Sequence, residues 1–349
     1  IYAPSANPHD LFTDFPASFK LVKTPGVKLL GSVVSTDHDF IKQAIYEKLA
    51  DLRLKLDRCA HLGDSQVSRL LLQYCFSFSG VQHLCRTVRP ELIASSMTAH
   101  DSAVIRSWST ALGFDIADFD LDVTQLPVQL GGFGLISARK VGTASYIGSL
   151  AKSLPLVKAL LPNDFYVSQY LTNVERAKSD AVDSLVGQYS GCIPIDDINE
   201  VINGPQASDP QKALTSLIHA ANLKRCLSAP GHNVEKSCLI AGQQPFAAEL
   251  LRTIPYDSDL KCSDNQFSTI VRLKLGKSFA GLDPICRSCN AVFDGSVDHA
   301  FNCKFGGDNN KRHNAIRDPE REHLLGAADD RKPADVFVHN FSRRQGCVL

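Results

Sequence analysis

The sequence predicts a mainly α-helical protein with a short N-terminal β-hairpin and a small zinc-knuckle tail. Three observations predict it. Apolar residues recur at helical spacing over most of the chain, two β-prone runs flank Pro25-Gly26 near the front, and residues 286 to 303 gather three cysteines and a histidine.

The hairpin is expected within "FKLVKTPGVKLLGSVVS" (19 to 35), with Pro25-Gly26 as its turn, because Pro fixes φ and Gly accepts a positive one. A helix follows, capped by Thr36 or Asp37, in which Phe40, Ile41, Ala44, Ile45, Leu49, Leu52 and Leu56 form one face. Gly63-Asp64 starts a second helix that runs through Val67, Leu71, Val81 and Cys85 to Arg89-Pro90, and a third spans about Glu91 to Leu112, before Gly113. After "LPVQLGGFGL" (126 to 135) the pattern is helical again, with breaks at Pro155 and Pro162. Further helices are expected near 164–188, 210–227, 234–252 and 264–275, and "INGPQASDPQ" (202 to 211) reads as a linker.

Composition narrows the function classes. At 349 residues, 44% apolar and 21% charged, the chain can hold two or three ordinary cores. Thirty-seven basic residues face thirty-seven acidic ones, so any binding of nucleic acid must come from local basic patches. Eleven cysteines, most of them scattered through helical patterns, fit a reducing intracellular compartment, cytoplasmic or nuclear. No stretch approaches the roughly 18 apolar residues of a membrane span, so no membrane partner is expected. The chain opens on Ile1 with no helix start and is expected to be a piece of a longer one.

Cys286, Cys289, His299 and Cys303 have a C-x2-C-x9-H-x3-C spacing, with Asp294-Gly295-Ser296 as a turn between the two pairs. Two thiolates on one turn, joined by a downstream imidazole and a third thiolate, suit the tetrahedral preference of Zn²⁺. Four ligands with no spare carboxylate imply a structural rather than a catalytic ion. The alternatives are three buried cysteines beside a surface histidine, or a redox CxxC, which needs a βαβ context not seen here. "DFDLD" (118 to 122) fails as a calcium loop, since Val123 and Gln129 stand where Gly and Glu are required, and reads as an exposed acidic turn. "GGFG" (131 to 134) matches no phosphate-loop pattern and reads as a tight turn ahead of a helix. Lys311, Arg312 and His313, with Lys332 further on, form a basic set that can contact phosphates, although a solvated helix start explains the run nearly as well. Asp335 precedes β-prone Val336 and Phe337. It is a candidate Mg²⁺ ligand of a nuclease, but no acidic residue follows it, so an ordinary strand-edge aspartate is the fuller reading.

The order of "GVKLLGSVV", "LPVQLGGFGL", "FSTIVRLKLG" (267 to 276), the CCHC run, "RHNAIRD" (312 to 318) and "KPADVF" (332 to 337) resembles the C-terminal part of a non-LTR retrotransposon reverse transcriptase that carries a restriction-like endonuclease. The resemblance implies the end of a polymerase palm over 1–35, a helical thumb-like region over 36–150 and a helical linker over 151–280. A CCHC zinc knuckle with its basic segment would then occupy 281–318, and the start of an endonuclease-like domain 319–349. It further implies RNA or DNA as partner, structural Zn²⁺, and Mg²⁺ only with a complete nuclease. The family's polymerase carboxylates lie in an upstream paired-aspartate hairpin that this sequence lacks, and Ala334 separates Pro333 from Asp335 where the family has them adjacent. No independent catalysis is therefore expected. A reading from another class is a zinc-stabilised helical interaction protein with no nucleic-acid role.

Overall fold

The computed structural model describes residues 25–160, 165–203, 209–277, 285–286 and 289–292. It is mainly helical, with one short antiparallel hairpin at the front, β1 (Gly26–Leu29) and β2 (Ser32–Ser35), paired from Gly26↔Ser35 to Leu29↔Ser32. A hairpin lies within the expected 19–35 stretch, but its turn is Leu30-Gly31, both at positive φ (50° and 81°), rather than Pro25-Gly26, so both strands follow Pro25. Pro25 instead marks the entry, where its carbonyl accepts from Ser35 Oγ at 2.6 Å.

Helix α1 (His38–Ala60) begins where the Asp37 carboxylate accepts from the amides of Asp39 and Phe40 at 2.8 and 3.2 Å. Its buried stripe, Ile41, Ala44, Ile45, Leu49, Leu52, Leu56 and Cys59, follows the predicted spacing. Asp64 caps α2 (Ser65–Leu71) by accepting from Val67 N–H at 2.9 Å. The expected continuous second helix does not form. A π-turn over Leu72–Phe76 interrupts it, Ser77 turns the chain, and α3 (Phe78–Thr87) resumes the path. The Ser77 carbonyl accepts from Gly80 N–H at 3.1 Å and also from Nε2–H of buried His100 at 3.2 Å. Helix α4 (Pro90–Leu112) has Pro at its first turn and closes on Gly113 at φ 73°.

The "DFDLD" stretch is not an exposed turn but a short helix, α5 (Asp118–Thr124), whose Asp120 is 1% exposed. The alternation of acidic and apolar residues hid it, because the helix buries one of its own carboxylates. Helix α6 (Ala138–Leu160) is capped from another helix: Asp101 of α4 accepts from Ser137 Oγ at 2.5 Å and from the amides of Ala138 and Arg139 at 2.8 and 3.0 Å. Burial pushes the Asp101 carboxyl above its usual range against the pull of those bonds. Pro155 does not end α6. The last ten residues, from Ala151, are largely exposed, so water can take the Ala151 carbonyl that the proline leaves without a donor.

Helices α7 (Phe165–Gln188), α8 (Ile195–Asn203) and α9 (Pro210–Ser228) follow. Helix α8 had no local signal beyond Pro194 and the acidic pair Asp196-Asp197 in its first turn. Asp209 caps α9 by accepting from Lys212 N–H at 3.2 Å. The single helix expected over 234–252 is two, α10 (Asn233–Ala241) and α11 (Glu249–Arg252), parted at Gly242 and Pro245. Helix α12 (Asp264–Lys274) opens on a reciprocal cap between Ser263 and Gln266.

Three apolar clusters hold the body. One centres on Trp108, with Phe133 at 6.5 Å and Phe267 edge-on at 6.1 Å between ring centroids, and draws residues from Leu56 to Leu275. The second joins α6, α7, α8 and α9, and the third seats the hairpin and α1 on α3 and α4. Residue 150, the expected end of the thumb-like region, lies inside α6, and the first cluster joins residues from both sides of it. The starts of α2 and α12 are tied directly, since the Asp264 carboxylate accepts from Ser65 N–H at 2.7 Å and Ser65 Oγ at 2.8 Å.

One half-buried histidine gives the body a pH dependence. Burial, helped by nearby Lys140, holds His219 of α9 at about 4, below its ordinary 6.5. The folded state keeps the ring neutral while the unfolded chain takes up a proton below its own pKa. This contribution is therefore complete above pH 6.5 and is lost as pH falls towards 4. Urea titrations are expected to show a loss of about 2–3 kcal/mol over that window, reduced in His219→Gln; parallel curves for the two proteins would contradict it.

Candidate metal and nucleic-acid site

The chain leaves the helical body at the end of α12, and the exit is fixed by several contacts. Gly276 takes the left-handed conformation at φ 67°, its amide donates to Leu273 O at 3.0 Å, and Lys277 N–H donates to Arg272 O at 2.9 Å. A Cβ on Gly276 would sit 3.0 Å from the Glu235 backbone, so glycine is needed for the approach to α10 as well as for the turn. Lys277 Nζ then reaches buried Asp120 Oδ2 at 2.7 Å, and the Arg272 guanidinium lies 4.1 Å from the centre of the Phe114 ring. Asp120 Oδ2 also accepts from Ala117 N–H at 3.3 Å, whereas Oδ1 has no hydrogen-bond partner. The neighbouring Asp122 pairs with Lys140 at 2.6 Å. Both carboxylates are thus committed to lysines.

Beyond this exit lies the CxxC turn. Ile285 and Val292 form an antiparallel bridge, Cys286 N–H donates to Ala291 O at 2.9 Å, and Asn290 N–H returns to Cys286 O at 2.8 Å. Asn290 sits at φ 57°, a conformation asparagine tolerates better than most residues. Cys286 and Cys289, both half-buried, therefore share one closed turn beside the Ile285–Val292 bridge. This backbone fits a metal knuckle: a tight turn between paired flanks holds two sulfur donors three residues apart, and Asn290 carries the reversal that lets the chain return. His299 and Cys303, the other two ligands expected from the spacing, lie outside the described residues, as do Lys311, Arg312, His313, Lys332 and Asp335. Among the described residues no three metal-binding side chains converge.

Three of the other described cysteines, Cys59, Cys85 and Cys226, are buried thiols that stay protonated. Cys85, held by burial at about 12, lies 3.7 Å from Met97 Sδ, and burial likewise raises Cys59, and Cys226 to about 11. Basic residues of α1, namely Lys48, Arg53, Lys55 and Arg58, are exposed but interleaved with acids, and Lys55 is paired to Asp51 at 2.7 Å. No helix among the described residues is long and apolar enough to cross a membrane.

The "LPVQLGGFGL" loop is a structural hub rather than a phosphate cradle. Phe133 and Leu135 are buried, Gly134 N–H donates to Leu126 O at 2.8 Å, and Leu135 N–H donates to Thr124 O at 3.3 Å. Arg69 of α2, 1% exposed, donates to the Phe133 carbonyl through Nε at 3.1 Å and Nη2 at 2.7 Å, to the Leu251 carbonyl through Nη1, and to Gln73 Oε1 at 2.6 Å. Burial lowers this guanidinium to about 10, which leaves it charged at neutral pH. The sequence offered a hint of the loop's role in its three closely spaced glycines, and none of Arg69, which lies on a helix pattern like any surface arginine. No family model, curated protein or solved structure matches the chain.

Proposed function

We propose that this chain is the C-terminal part of a retroelement reverse transcriptase, an RNA-directed DNA polymerase. In this reading the helical body acts as thumb and linker, and Cys286, Cys289, His299 and Cys303 hold a structural Zn²⁺. The observation that carries the proposal is the closed Cys286–Asn290 turn, which follows α12 in the sequence. It supports a knuckle at the place in the motif order where the family resemblance puts one. The ion would cross-link a tail too poor in apolar residues to fold by itself. Lys311, Arg312, His313 and Lys332 would contact phosphates of RNA or DNA, weakly because the chain's formal net charge is zero. Asp335 would be the first ligand of a nuclease Mg²⁺ site that these residues alone do not complete, so the chain by itself catalyses nothing.

Purification under reducing conditions followed by metal analysis is expected to find about one Zn²⁺ per chain, lost in Cys286→Ser. Binding to single-stranded RNA or DNA at low salt should weaken with a slope worth a few phosphates. The second reading, a zinc-stabilised interaction protein, draws support from the acid-interleaved basic face of α1. It would prevail if zinc is found but no binding occurs at low salt. Mg²⁺-dependent cutting of DNA abolished by Asp335→Ala would overturn the absence of catalysis.

A further inference from the structure

Charge is unevenly placed on the helical body. Helix α6 carries four basic residues, α9 three and α3 one, and none of these helices has an acidic residue, in a chain whose thirty-seven bases and thirty-seven acids balance. Helix α6 packs against both of the others. Part of its charge is used, since Lys140 pairs with Asp122 at 2.6 Å and Lys158 with Glu175. Arg86 of α3 and Lys212 and Lys224 of α9 are exposed and make no ion pair among the described residues. Arg86 ties α3 to the start of α9, its Nε donating to Gln211 Oε1 at 2.7 Å, beside Lys212. From there the exposed row Lys212, Ser216, Ala220 and Lys224 runs about 18 Å along the helix. Asp209, which precedes the row, is committed as the cap of α9 to the Lys212 amide. Helix α8, also packed on α9, exposes Asp196, Asp197 and Glu200, so a polyanion is steered towards the side that Arg86 shares.

We propose that the ridge from Arg86 along α9 is a track for the phosphodiester backbone of a nucleic-acid duplex, separate from the basic segment of the tail. Ser216 and Ala220 are small enough to let a backbone approach between the cations, and about 18 Å spans roughly five phosphates of one duplex strand. A single strand fits less well, because sites for single strands stack bases on aromatic rings. Helix α9 has no Phe, Tyr or Trp, and Phe78, the one such residue of α3, packs into the second and third clusters. Contacts to phosphates alone carry no sequence information, so binding is indifferent to base sequence. The choice of nucleic acid over other polyanions rests on the function proposed above, whereas the position of the ridge rests on charge placement alone.

Binding of the full chain to a mixed-sequence duplex of about twenty base pairs, measured against salt, tests this. Arg86→Gln, Lys212→Gln and Lys224→Gln together should reduce the slope of log K against log salt by about two to three, while Lys48→Gln with Arg53→Gln on α1 leaves it unchanged. All five side chains are exposed, so unaltered melting temperatures report that the variants fold. An unchanged slope in the triple variant would overturn the ridge and leave the reading of the tail intact. So would an equal loss in the α1 pair, or heparin held as tightly as the duplex. A chain that binds single strands but no duplex would overturn the ridge alone, and one that binds neither would overturn both readings.

Discussion

Gly132→Ala is expected to remove on the order of 4 kcal/mol of stability and to lower the melting temperature by about 10 °C. A Cβ at this position would lie 2.2 Å from Leu126 O and 2.6 Å from Leu126 C, which are backbone atoms that cannot rotate away. The same strand of chain is held by the bonds from Gly132 N–H to Pro127 O and from Gly134 N–H to Leu126 O, so relieving the clash would break the loop's own closure. Gly113→Ala is the contrasting variant. Unlike Gly132 it has positive φ, but an added Cβ meets nothing within 4 Å, so only backbone strain of about 1 kcal/mol is expected. Urea denaturation of the two variants separates close approach from conformational strain. Equal losses would mean that the loop moves freely and that the packing argument fails.

Arg69→Met is expected to cost about 3–5 kcal/mol. The methionine fills much of the aliphatic volume but leaves the Phe133 and Leu251 carbonyls without their buried donor. Arg69→Lys should recover little, because one ammonium cannot match the planar fork that serves Phe133, Leu251 and Gln73 together. The double variant Arg69→Met with Gln73→Leu then measures coupling: if Gln73 chiefly orients the guanidinium, its removal adds less in the absence of Arg69 than in its presence. A loss below about 1 kcal/mol for Arg69→Met would show that water replaces the guanidinium at little cost.

The helices legible in the sequence were those with a stripe and a cap. Asp37, Asp64 and Pro90-to-Gly113 mark the borders of α1, α2 and α4 because each start or stop is made by a side chain or a turn residue adjacent in sequence. Where the partner is distant, local reading failed. Helix α6 is capped by Asp101 from another helix, and Asp120 is buried because Lys277 comes to it from far along the chain. Pro155 misled because a proline's penalty depends on which side of the helix it opens, and the sequence alone does not say which half faces water. Of the candidate site, the turn at Cys286–Asn290 agrees with the spacing that suggested it. The tie of the α12 exit to Asp120 through Lys277 had no local signature at all.

The tie between Ser65 and Asp264 spans 199 residues, and that between Arg69 and Leu251 spans 182. On a ribosome adding about 5–20 residues per second, the first partner of each pair emerges roughly 10–40 s before the second. During that interval α2 carries a guanidinium destined for burial, and the cluster around Trp108 lacks Phe267. The helical body is therefore expected to close late and as one unit, leaving the nascent chain dependent on chaperones until α12 has been made.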